Sequence, residues 1–257
     1  MILFTNGRLL LLCLTLWASG ALSSCTVYAP MQPTVSTISA AGQVEATGSI
    51  QASGRLEGGV VYAPVSHMLV SVAGTYKPMF AAPPNYVFGT RQWEAGVGSY
   101  VGLGKHSRLT GLLGYGRATT ERGDYSLLSN ETWDVVQADY SKSFAQLGYT
   151  LYNPRVSFHW LVRYSYLTVN QLTVADYYNN TLQPLDLTRL DRLDGLFCFR
   201  SQKGLPPHWR WQLSAGWSVP TRQYEVLDEH GYEISEARRA QFVAVMLGVG
   251  VVFCPTH

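Results

Sequence analysis

The strongest structural signal in the chain is the run Trp209-Arg210-Trp211-Gln212-Leu213-Ser214-Ala215-Gly216-Trp217-Ser218, where odd positions are all apolar and even positions are all polar or glycine. Successive side chains of a strand point to opposite faces, so this alternation predicts a β-strand with two unlike faces. The same alternation is clear at 142–151, 156–168 and 243–253, and weaker at 43–52, 54–62, 68–76, 91–102, 107–117 and 191–201. The sequence therefore predicts an all-β chain of ten strands.

The connections between these strands alternate in length. Short ones lie near 63–67, 103–106, 153–155 and 202–208, and long polar ones lie at 77–90, 118–141, 169–190 and 219–237. Ten residues, tilted by about 45°, span roughly 23 Å, which fits an outer-membrane apolar band. We therefore expect a closed antiparallel transmembrane β-barrel with short periplasmic turns and long external loops. The hairpin at Ser53-Gly54 is an exception among the external connections, so eight strands is the alternative count.

The apolar face of these strands is rich in tryptophan, which indicates contact with lipid. The predicted aromatic girdle comprises Trp93, Trp160, Trp209, Trp211 and Trp217. Tryptophan concentrates at both membrane interfaces, and Trp209 and Trp217 lie near opposite ends of one strand. A soluble periplasmic lipocalin-like binding barrel is the alternative, with its apolar face inside. No Gly-x-Trp signature follows the N-terminus, and past residue 24 no apolar run is long enough for a transmembrane helix.

The polar face carries charges of both signs, which we expect to point into the lumen. They are Glu45, Glu57, Glu94, Arg108, Lys142, Arg163, Arg192, Arg200 and Arg210. Opposite charges facing each other across a narrow interior favour a structural ion network that plugs the lumen. The alternative is a narrow passive channel whose lining sets the ion preference.

The N-terminal region has the features of an export signal. Arg8 precedes an apolar run from Leu9 to Trp17 and then small residues, so residues 1–24 are predicted to be a signal peptide. Leu22-Ser23-Ser24-Cys25 resembles the bacterial lipobox, which implies lipidation of Cys25. Cleavage near Ala21, with Cys25 as a free thiol, is the alternative. Residues 25–41 are predicted to form a lipid-anchored tether without a core of its own, and residues 42–254 the barrel.

The pattern over residues 42–253 resembles the small outer-membrane β-barrel proteins of Gram-negative bacteria, here with a lipobox added. The resemblance is one of architecture. It implies a fold and an outer-membrane location, and it transfers no catalytic residue. Because ten strands bring both barrel ends to the short-turn side, we expect Cys25 in the periplasm beside the inner leaflet.

Other functional classes find little support in the sequence. A net charge of +2 predicts no nucleic-acid surface. His67, His106 and His208 follow separate turns, so no metal and no cofactor is expected. Cys198 and Cys254 lack metal or redox spacing, and we expect no disulfide between them because another strand separates theirs. Asp228-Glu229-His230 on the last long loop is the basis of an outer-leaflet hydrolase alternative, but adjacent loop residues predict a solvated turn and no enzyme.

We therefore expect a monomeric outer-membrane β-barrel lipoprotein with a structural or surface-interaction role. Its expected partners are outer-membrane lipid, the acyl anchor on Cys25, and an extracellular ligand or protein at the long loops. Those loops are rich in tyrosine and acidic residues, as in Asp176-Tyr177-Tyr178.

Overall fold

The computed structural model describes residues 28–78, 87–125, 132–176, 181–184, 187–202, 208–222 and 243–255. The predicted signal peptide and Cys25 lie outside these residues. Among the described residues, no helix has the length and apolar character needed to cross a membrane.

The described residues form a series of antiparallel β-strands. Their bounds are β1 (Val44–Gln51), β2 (Leu56–Tyr62), β3 (Met68–Lys77), β4 (Val87–Gly102), β5 (Ser107–Tyr125), β6 (Thr132–Tyr152), β7 (Val156–Asp176), β8 (Thr181–Pro184), β9 (Arg189–Ser201), β10 (Trp209–Pro220) and β11 (Ala244–Phe253).

Ten of these strands close into a barrel. Each of β1 to β6 pairs with the next, β7 pairs with β9, β9 with β10, β10 with β11, and β11 with β1. The short β8 pairs only with β7, so it stands outside the ring. The predicted closed antiparallel barrel of ten strands is confirmed, and the alternative count of eight is wrong.

Alternate side chains along the strands face lipid and lumen as the sequence pattern indicated. In β11, for example, Val249 and Val251 are exposed while Met246 and Val252 are buried. Large apolar side chains are exposed around the ring, on β2, β3, β4, β5, β6, β7, β9 and β10, whereas arginine and glutamate side chains are buried inside. A soluble barrel has the opposite arrangement, so the apolar exterior identifies a transmembrane β-barrel.

The five predicted girdle tryptophans all lie on the barrel exterior at two levels. Trp93, Trp160, Trp209, Trp211 and Trp217 are between 40% and 49% exposed. Trp217 lies eight residues beyond Trp209 on β10, which corresponds to roughly 19 Å along the barrel axis at a tilt of about 45°. At the lower level, ring contacts form a belt across neighbouring strands. They join Tyr149 to Trp160, Trp160 to Phe197, Phe199 to Trp211, and Trp209 to Phe253.

One side of the barrel wall is much taller than the sequence predicted. Strands β5, β6 and β7 are 19, 21 and 21 residues long, so most of the predicted loop 118–141 is strand. A 21-residue strand spans about 49 Å at this tilt, about twice the apolar band. The exterior turns polar above Tyr115, where Arg117, Asp139 and Asn170 are joined by hydrogen bonds. The prediction failed because strands above the membrane surface no longer alternate apolar and polar residues.

Candidate functional site

The lumen is occupied by the chain's own N-terminal segment. Residues 28–39, hereafter the plug, run through the barrel in extended form without pairing as a strand. Tyr28, Met31, Val35 and Ile38 are each at most 6% exposed. The predicted tether has no core of its own, but its side chains are packed inside the barrel, which the sequence did not indicate.

The plug enters from the external end of the lumen. Tyr28 belongs to an apolar cluster beside the outer parts of the tall strands, and Ile38 belongs to one beside the periplasmic turns. The partners of Tyr28 are Ala118, Val136, Ala138, Tyr140, Leu167, Leu172, Leu187 and Leu190. The partners of Ile38 are Val61, Ala63, Leu69, Tyr100 and Leu112.

This direction differs from the expectation for the N-terminus. The even strand number places the start of β1 at the periplasmic end, but the chain before β1 returns through the lumen. Tyr28 lies at the external end, only three positions after Cys25, which itself lies outside the described residues. Strand parity therefore locates the first strand and not the segment that precedes it.

Side chains of the wall hold the plug mainly through its main-chain carbonyl groups. Gln92 donates to the Ala29 carbonyl, Arg55 to Pro30, Gln146 to Thr34, Arg200 to Val35, and Arg108 to Thr37 and Ile38. The Gln146 and Arg200 bonds measure 2.7 and 3.1 Å. Because every residue has a carbonyl group, these contacts recognise an extended main chain and not particular side chains.

Acidic and hydroxyl groups of the wall accept hydrogen bonds from the plug. The Thr37 amide and hydroxyl both donate to Glu45 Oε2 at 2.7 Å. Gln32 Nε2 donates to Ser214 Oγ at 2.5 Å. Between these polar contacts, Val35 packs against Leu161, Leu196 and Cys198. The plug is thus held by polar and apolar contacts along its whole length.

Glu94 is the centre of the largest buried charge network among the described residues. It pairs with Lys142 and accepts two bonds from Arg163 Nη1, at 2.8 and 3.1 Å. Arg163 also donates to Gln146 Oε1 and lies 4.3 Å from the centre of the Phe144 ring. These three charges come from β4, β6 and β7, and all are at most 2% exposed.

Two further acids pair with arginine nearer the plug. Glu45 pairs with Arg200, whose Nε donates to Gln212 Oε1 at 2.8 Å. Glu57 pairs with Arg55 at 2.6 Å and accepts from Gln51 at 3.0 Å. The predicted lumen acids therefore each have a basic partner.

The remaining predicted charges have mixed surroundings. Arg192 is buried, donates to Ser218 Oγ at 2.8 Å, and lies 4.5 Å from the centre of the Tyr28 ring. Arg108 lies near the periplasmic end between the rings of Tyr100 and Tyr152. Arg210 borders a cavity of about 320 Å³ at the periplasmic mouth.

Sequence reasoning missed the plug and several of its wall contacts. Arg55, Gln92 and Gln146 were not among the predicted lumen residues, because Arg55 precedes β2 and the two glutamines carry no charge. The available signal was in residues 28–39, which contain regularly spaced apolar residues and no charge. A solvated linker of that length usually carries charge or glycine.

The other candidate residues do not converge on a reactive site within the described ranges. His67 contacts the Tyr100 carbonyl at 3.0 Å, and His106 and His208 lie at other turns. No group of histidine, cysteine and acidic residues in the described part of the chain could hold a metal ion. Cys198 and Cys254 are free, as expected. Asp228, Glu229 and His230 lie outside the described residues.

The sequence matches no family model and no curated protein. The structure is similar to the outer membrane protease OmpT from Escherichia coli, with 8% identity over 83% of this chain and 93% of that chain and a TM-score of 0.49. It is also similar to the translocator domain of the autotransporter NalP from Neisseria meningitidis, with 14% identity, coverages of 82% and 86% and a TM-score of 0.44. It is further similar to CarO2 of Acinetobacter baumannii, with 10% identity over 83% of this chain and 99% of that chain and a TM-score of 0.25. Sequence identities and TM-scores this low support no conclusion about the activity of this protein.

Proposed function

We propose that this protein is an outer-membrane β-barrel lipoprotein with a structural or surface-interaction role, closed to solutes in its resting state. It acts as a monomer that presents its long connections and tall β5–β7 wall outside the cell, and it has no catalytic activity of its own. The outer membrane of a Gram-negative bacterium is the location that suits an apolar barrel exterior.

One observation carries the closed state. Wall side chains contact the plug at successive positions from Ala29 to Ile38, so contacts follow it from the external end to the periplasmic end. A cavity lined by the plug and by residues of β1 to β3 measures about 40 Å³, room for only a few water molecules. A lumen filled in this way offers no continuous aqueous path.

Planar-bilayer recording of the full-length protein tests the closed barrel. We expect a compact gel band that converts to a slower one on boiling, which reports a folded barrel, and no steady current in potassium chloride. Steady current through the folded wild-type protein would overturn the closed state. Recovery as a soluble protein in the absence of detergent would overturn the membrane location.

Metabolic palmitate labelling tests the lipid anchor separately. We expect the label in the wild type and in a Cys254→Ala control, and its loss in Cys25→Ala. An unlabelled wild-type protein would remove the lipoprotein part of the proposal and leave the closed barrel untouched.

A further inference from the structure

We infer that the plug is displaceable, and that the lumen it vacates is a pathway for small anions. This inference rests on the proposed function in one respect, that the resting barrel is closed. It adds an activity, the conditional passage of anions, and assigns the plug as its gate.

The barrel does not need the plug for closure. The ring of strands is complete through the pairing of β1 with β11 and of β6 with β7, and residues 28–39 pair with no strand. The plug therefore contributes no ladder hydrogen bond to the wall. It can leave without opening a strand edge, so its removal is separable from unfolding of the barrel.

Basic groups outnumber acidic groups on the wall that the plug covers. Facing the lumen among the described residues, Arg55, Arg108, Arg122, Lys142, Arg163, Arg192, Arg200 and Arg210 are present with Glu45, Glu57, Glu94 and Asp194. A lumen lined by an excess of arginine and lysine concentrates anions and repels cations.

The plug meets the excess of basic side chains with the dipoles of its carbonyl groups and not with negative charge. Residues 28–39 contain no charged side chain, and the cations Arg55, Arg108 and Arg200 use its carbonyl oxygens as acceptors. When the plug leaves, these acceptors leave with it and the wall keeps its charge. Arg55 and Arg200 keep their wall partners Glu57 and Glu45, and water and small anions become available to the guanidinium donors that the plug had occupied.

Ten strands enclose enough space for such a path. A barrel of eight strands is just filled by its own side chains, so a ten-stranded barrel has additional room in its centre. Here that room holds the plug. Lumen-facing glycines add to this room. At Gly248, for example, a Cβ would lie only 2.9 Å from Gln32 Nε2 of the plug.

The first test uses a Cys25→Ala variant, whose N-terminal peptide carries no acyl chain. It places a specific protease site between Ala40 and Ala41, in the exposed rim between the plug and β1. The protein folds with its plug in place and is cleaved afterwards, so folding of a shortened chain is not required. After washing in dilute urea, we expect mass spectrometry to show loss of the N-terminal peptide. A steady current should appear, carried more by chloride than by potassium in a salt gradient. The chain without the site, treated with the same protease, is the control.

Charge reversal on the vacated lumen tests the ion preference. In the cleaved barrel, Arg108→Glu with Arg200→Glu should shift the reversal potential towards potassium, whereas exterior Arg117→Glu should leave it unchanged. A cut peptide that stays bound, a silent vacated barrel that retains its heat-shifted gel band, or a vacated barrel that prefers potassium would each overturn the inference. Current through the uncut protein would instead overturn the proposed closed state.

Discussion

At the scale of single residues, Glu94 has the strictest electrostatic requirement in the lumen. Lys142 and Arg163 both depend on this one carboxylate, and all three side chains are almost inaccessible to water. A buried ion pair adds little net stability compared with apolar residues, but removing one partner leaves a buried charge uncompensated. The lumen is consequently sensitive to the loss of Glu94 and tolerant of changes on the exterior.

We expect Glu94→Ala to lower the free energy of unfolding by about 3–5 kcal/mol, because two buried cations lose their partner. Arg117→Ala removes the exposed pair with Asp139, and we expect it to cost less than about 1 kcal/mol. Urea unfolding in detergent micelles, followed by tryptophan fluorescence, measures both. Equal losses in the two variants would contradict the asymmetry between lumen and exterior.

Two glycines on neighbouring strands make a second matched pair. A Cβ at Gly98 would lie 1.9 Å from the Gly111 carbonyl oxygen, whereas a Cβ at Gly111 would meet nothing within 4 Å. We expect Gly98→Ala to destabilise the barrel by about 1–3 kcal/mol or more, since backbone must move, and Gly111→Ala to be close to neutral. The temperature at which the compact gel band disappears is the measurement. An unchanged temperature for Gly98→Ala would show that the wall relaxes freely there.

At the scale of elements, the number of strands and their two faces could be predicted from alternation, as in Trp209–Ser218. Alternation failed in the outer parts of β5 to β7, because residues such as Arg117 and Asp139 lie where both faces tolerate polar groups. It also could not locate the plug, because the large apolar residues of 28–39 recur every three or four positions and do not alternate with period two. Strand parity predicted which charged residues face the lumen. It could not predict which of them pair, because pairing depends on the curvature of the barrel and on Arg55, which lies outside the strands.

The plug should also exchange its amide hydrogens independently of the strands. We expect peptides covering 28–39 to exchange faster than those covering β1, because release of the plug breaks no strand pairing. Ile38→Ala removes an apolar contact in the periplasmic cluster and should accelerate this exchange by at least tenfold, with β1 unchanged. Exposed Ser39→Ala is the control. Exchange of plug and strands at one common rate would mean that the plug opens only when the barrel unfolds.

At the scale of the whole molecule, the polar parts of β5 to β7 define which end of the barrel faces outwards. Gln137 is exposed on β6 above the apolar exterior, and Lys105 is exposed in the turn between β4 and β5 at the opposite end. Tall strands and long connections belong to the external rim in outer-membrane barrels, and tight turns belong to the periplasmic rim. The two residues should therefore lie on opposite sides of the membrane.

Thiol labelling of intact cells tests this orientation. In a Cys254→Ser background, we expect Gln137→Cys to react with a membrane-impermeant maleimide in intact cells, because its position stands above the outer surface. Lys105→Cys should react only after the outer membrane is permeabilised, and the parent without either substitution measures the labelling of native cysteines. Labelling of Lys105→Cys but not of Gln137→Cys in intact cells would reverse the barrel in the membrane. It would then place Tyr28, where the plug enters the lumen, on the periplasmic side. Release of the plug would in that case depend on the periplasm and not on the cell exterior.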